Sequence, residues 1–148
     1  MIIYTNNYKL NVAIVCILII ITDIFWLYTN SKIYNNYVYK IQGSNIQLKF
    51  FSGFISYLFA LIGLFYFVIP LIKYELNEIN KINNYQLLLL SIKYGGIFGI
   101  IIYTVLHATN DAIFKNYDLK VALMDTIWGF FLYSFAPFIF LILEKYNQ

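Results

Sequence analysis

The stretch VAIVCILIIITDIFWLY, residues 12–28, decides the class of the fold. Ten of the eleven residues from Val12 to Thr22 have apolar side chains, and Asp23 follows them within the same run. About 20 predominantly apolar residues span the hydrocarbon of a bilayer, and this run with its flanks approaches that length. The carboxylate does not forbid insertion. An Asp at a helix centre costs about 2.5–3.5 kcal/mol, and each Ile, Leu, Phe or Val offsets about 0.3–0.6 of that. The aliphatic residues around Asp23 are numerous enough. A carboxylate in that place is expected to face protein or water rather than lipid.

Working outward, three more oily runs follow, so the expected helices cover residues 12–28, 50–72, 90–110 and 121–143. The third is blurred, because Lys93 interrupts it. The intervening pieces are short and polar, without a Pro/Gly-rich linker, so residues 1–148 read as a single four-helix transmembrane domain. The acidic residues Glu75 and Glu78 are expected in a solvated loop. The runs are continuous rather than alternating, which excludes a membrane β-barrel. The fold class is therefore an all-α integral membrane protein with short loops, multi-pass, in a membrane that the sequence does not specify. Lys9 precedes the first run, but no small-x-small cleavage site follows it, so the run is expected to remain as a helix.

Composition agrees. Hydrophobic residues make up 61% of the 148 and charged residues 11%, against about 25% charged in a soluble domain. The excess of Ile, Asn, Lys, Tyr and Phe has the character of an AT-rich coding sequence, so single loop residues carry little weight. The net charge of +3 is spread thinly over the loops, which excludes the concentrated basic face that nucleic-acid binding uses. The lone Cys16 excludes an intramolecular disulfide. With four spans, one face carries Lys9, Lys73, Lys81 and Lys145, with Lys93 at its margin. The other carries Lys32, Lys40, Lys49, Lys115 and Lys120. The positive-inside rule needs an imbalance, and this tally does not assign an orientation.

The polar residues inside the runs fall at one depth. Asp23 lies five residues before Tyr28, where the first helix leaves the membrane, and Asp125 five residues after Lys120, where the fourth enters. At about 1.5 Å per residue, both carboxylates sit roughly 7 Å below the same face. The third helix ends there as well, with His107, Asn110 and Asp111 in its last turns. Tyr103, His107 and Asn110 share a helical face. Trp26 and Trp128 each follow an Asp by three residues, so each can shield a carboxylate from lipid or donate its N–H to a partner. Asp111, four residues after His107, is the expected partner of that imidazole. One His with scattered Asp residues lacks the ligand spacing of a metal centre, and no cofactor motif is present. Gly95 and Gly99, and the stripe Gly53, Ser56, Ala60 and Gly63, are small-residue packing faces. They are open to another helix of the chain, a second copy or another membrane protein.

Three motifs in order carry a resemblance. Asp23, Trp26 and Leu27 form Asp-x-x-Trp-Leu; Gly99, Tyr103, Thr109 and Asn110 fit Gly-x-x-x-Tyr-x-x-Tyr-Asp-x-Thr-Asn; and Asp125, Trp128 and Gly129 form Asp-x-x-Trp-Gly. Together they resemble the small membrane proteins grouped as domain of unknown function 2177, and the resemblance implies a four-helix layout without implying an activity. Leu106 and His107 stand where that pattern has Tyr and Asp. Three functions stay open. One is an enzyme acting on a membrane lipid or other membrane-soluble substrate, with Asp23, His107, Asn110 and Asp125 as candidate catalytic residues and Trp26, Trp128 and Tyr103 in support. The others are a small proton-coupled carrier and a structural or partner-binding protein.

Overall fold

The structure, a computed structural model, describes residues 7–79 and 82–146; Lys81 of the lysine tally lies outside them. Among the described residues four helices are long and apolar enough to cross a membrane: α1 (Tyr8–Thr29), α3 (Phe50–Asn77), α4 (Asn84–Ile113) and α5 (Leu119–Tyr146). A fifth helix, α2 (Ser31–Gln42), connects the first two. Successive spans run in opposite directions, so the end of α1, the start of α3, the end of α4 and the start of α5 share one face.

The differences from the expected boundaries have local causes. α4 begins at Asn84 rather than near residue 90 because a capping box forms there. The Asn83 side chain accepts from the Gln86 N–H at 2.8 Å, and the Gln86 side chain accepts from the Asn83 N–H at 2.9 Å. Such reciprocal bonds satisfy two of the orphan donors of a helix start. Lys93 stays within the helix because its ammonium lies 2.6 Å from Glu75 and 4.7 Å from the centroid of the Tyr94 ring. Glu75 is thus not a loop residue; it lies in the last turns of α3 and also accepts from the Tyr94 hydroxyl. The polar segment after α1, read as a loop, is the helix α2. Tyr34, Tyr37, Val38 and Ile41 repeat at helical spacing along one side of it, and Gly43 ends it in the left-handed conformation (φ 72°) that favours glycine.

α5 is the central helix, packed on α1, on α4 and on the second half of α3. Its contact with α4 is close because glycines permit it. A Cβ on Gly95 would collide with the Tyr133 carbonyl oxygen, and one on Gly99 with that of Gly129. Pro137 has no N–H, so it leaves the Tyr133 carbonyl, four residues earlier, without its helical donor; Gly95 fits against that carbonyl.

Packing differs between the two ends. Away from the Asp23 face, Val15, Leu64, Ile72 and Phe140 are almost fully enclosed. Beside them Lys73 and Glu144 form a buried ion pair at 2.6 Å, with side chains 15% and 8% exposed. At the Asp23 face the helices splay. No residue of α3 before Gly63 is buried, and a π-helical turn, Leu64–Val68, separates that half from the packed half. α4 carries a π-helical turn of its own at Ser91–Gly96.

Candidate functional site

The polar layer is assembled from α1, α2, α3, α4 and α5. Asp23, 8% exposed, accepts two hydrogen bonds. The Tyr57 hydroxyl of α3 donates to Oδ2 at 2.5 Å, and Trp128 Nε1 of α5 donates to Oδ1 at 2.8 Å. Asp125 accepts from the Tyr34 hydroxyl of α2, and Trp26 Nε1 donates to that same hydroxyl oxygen at 2.9 Å. The rings of Trp26 and Trp128 stack face to face, with centroids 4.5 Å apart and planes 3° from parallel. The two Asp-x-x-Trp motifs are therefore exchanged. Each tryptophan serves the carboxylate of the other motif, directly in one case and through Tyr34 in the other. Helix geometry explains the exchange, since each Trp stands one turn from its own Asp and faces the antiparallel neighbour.

His107, 8% exposed, turns away from Asp111, correcting the expected pairing. Its Nδ1 lies 2.5 Å from the Tyr117 hydroxyl, and its Nε2 faces Asp125 Oδ2 at 3.4 Å. That second contact is at ion-pair range without hydrogen-bond geometry, and among the described residues Nε2 has no hydrogen-bond partner. Tyr117 in turn packs on Tyr37 of α2, the two rings meeting edge to face at 5.3 Å. A polar chain thus runs from Asp125 through His107 and Tyr117 to Tyr37, toward the surface. Tyr34 and Tyr37 of α2 titrate above the ordinary tyrosine range. For Tyr34 the causes are burial and then the bond to Asp125; for Tyr37 they are burial and then the neighbouring Tyr117 hydroxyl.

The sequence candidates thus separate. Asp23, Trp26, Asp125, Trp128 and His107 join the layer. Tyr103 lies between its halves; its ring covers Gly129 and stands 6.3 Å from that of His107. Asn110 is only partly buried, and among the described residues its side chain makes no hydrogen bond. Among the described residues no cluster of three or more His, Cys, Asp or Glu side chains is placed to hold a metal. Tyr34, Tyr37, Tyr57 and Tyr117 were missed. The signal for the α2 pair was the helical spacing within SKIYNNYVYKIQ; Tyr57 and Tyr117 carried none.

Where α3 stands off from α4, a cleft of about 540 Å³ opens. Its walls are largely apolar, among them Phe59, Phe67, Phe98, Ile102 and Leu106, and Asp23 with Tyr57, Tyr103 and Tyr133 supplies its polar end. The stripe Gly53, Ser56, Ala60 and Gly63 lines the cleft.

Fold and layer define the class: a multi-pass helical membrane protein with a hydrogen-bonded carboxylate layer near one face. The family described as predicted membrane protein (DUF2177) matches residues 8–141, and the chain belongs to that family. No curated protein and no solved structure matches it.

Proposed function

We propose that the protein is a membrane-embedded enzyme that admits a membrane-soluble substrate sideways into the α3–α4 cleft and acts on it at Asp23. The observation that carries this reading is that an apolar cleft at membrane depth ends on a carboxylate. Apolar walls suit a hydrocarbon chain, and a few convergent polar groups at one end suit the reacting head of a ligand. Asp23 is the proton acceptor. Trp128 and Tyr57 hold both of its oxygens in place, as a group that acts as a base requires. Asp125, His107 and Tyr117 line the way from the layer to the aqueous face, which supports proton exchange with water on that side.

A general base contributes about 10²–10⁴-fold to rate, so Asp23→Asn is expected to lower turnover by that order while the fold persists. The test is a comparison of lipid profiles between cells expressing the native chain and cells expressing Asp23→Asn. A lipid class changed by the native chain alone supports the reading, and profiles identical across classes overturn it. The chain from Asp125 toward Tyr37 favours a second reading, a proton-coupled carrier. Its test is proton flux into proteoliposomes, which the enzyme reading expects to be absent.

A further inference from the structure

We infer that the α3–α4 cleft selects an amphiphile with a protonated amine head, held between Asp23 and a set of tyrosines. This rests on the reading of the cleft as a substrate site and names the ligand class.

Three observations carry it. First, the compensation of Asp23 is incomplete for a buried charge. Its two hydrogen bonds come from Tyr57 and Trp128, both uncharged, and among the described residues no Lys or His lines the cleft. A carboxylate withdrawn from water favours a cationic partner. The same lack of cations disfavours phosphate and carboxylate heads, which would meet a like charge. Second, Tyr133 is 3% exposed and lines the cleft, and neither its hydroxyl nor that of Tyr103 makes a hydrogen bond among the described residues. Two hydroxyls are therefore available to accept from an N–H. Tyr57, Tyr103 and Tyr133 also line this end with aromatic rings, the kind of surface on which an ammonium is stabilised. Third, beyond this polar end the walls are apolar along α3 from Phe59 to Phe67, and Phe67 lies about 15 Å along the helix from Tyr57 at 1.5 Å per residue. The inner part of an extended alkyl chain lies along that length, and the rest continues into the bilayer.

The experiment uses purified protein in phosphatidylcholine vesicles and three chain-matched probes: hexadecylamine, hexadecanol and hexadecanoate. The two tryptophans of the chain stack on each other, and one bonds Asp23, so their fluorescence reports binding. Hexadecylamine is expected to give a saturable change, with hexadecanol and hexadecanoate at least about tenfold weaker, the scale of one charge-assisted hydrogen bond. Asp23→Asn is expected to remove the preference for the amine. Ala60→Phe, which fills the cleft and leaves the carboxylate intact, is expected to abolish binding even if Asp23→Asn folds poorly. Equal binding of alcohol and amine, or amine binding unchanged in both variants, overturns the inference. Amine binding without any change in cellular lipids would overturn the enzyme reading and leave the inference standing. Asp23-dependent conversion of a lipid without an amine would do the reverse.

Discussion

At the scale of single residues, Asp23 shows what the layer requires. Its carboxylate is kept by two donors, and hydrogen bonds to charged groups are worth about 1.5–3 kcal/mol. Tyr57→Phe is therefore expected to lower the stability of the solubilised protein by about that amount in thermal or denaturant unfolding. Tyr66→Phe, on the exposed side of the same helix (74% exposed), should leave it unchanged. The Lys73–Glu144 pair predicts a larger effect, since removing one member of a buried pair costs about 3–5 kcal/mol. Glu144→Ala should unfold at a clearly lower temperature, and Lys73→Met with Glu144→Met together should recover much of the loss. The two carboxylates and two tryptophans were legible in the sequence because polar groups inside oily runs are conspicuous. The tyrosines that bond them were not. Tyr is abundant throughout the chain, and nothing in the sequence marks Tyr57 off from Tyr66, although one meets Asp23 and the other faces outward.

At the scale of helices, the Gly faces on α4 are seams between α4 and α5. Gly95→Ala and Gly99→Ala each place a methyl against a carbonyl of α5, and overpacking of this kind costs about 1–3 kcal/mol. Gly53→Ala meets nothing within 4 Å and should be silent in the same unfolding measurement. α2 has its own signature in pH. A phenol whose folded value lies above its unfolded value stabilises fully below the unfolded value, about 10, and that contribution is lost as pH rises through the raised folded value. Tyr34 and Tyr37 are both raised, so α2 is expected to stay docked through neutral and mildly alkaline pH. Tyrosinate absorbance and circular dichroism followed together should show these phenols ionising only as helix is lost. The start of α4 was misjudged because Lys93 looked like a break in an oily run. Its partners, Glu75 and Tyr94, come from tertiary and neighbouring contacts that hydropathy does not record.

At the scale of the whole molecule, four antiparallel spans place Thr29 and Asn116 on one face and Glu78 on the other. In a chain with Cys16 replaced by Ser, single cysteines at Thr29 and Asn116 should react with an impermeant reagent from the same side, and one at Glu78 from the opposite side. Labelling of Thr29 and Asn116 from opposite sides would disprove the topology. The span count was readable from run lengths alone. The cleft was not, because it arises from how far α3 leans from α4, and the outer half of α3 is as apolar as any packed helix.

That lean has a consequence for how fast anything gets in. The bundle is shaped like a clothes peg, clamped where Phe140 and the Lys73–Glu144 pair lie and parted where Phe50 and Phe54 face outward. Parting the jaws further breaks few contacts within the protein; it displaces neighbouring acyl chains. Uptake is then governed by the fluidity of the surrounding bilayer, so exchange should be quick among unsaturated lipids and sluggish in a gel phase.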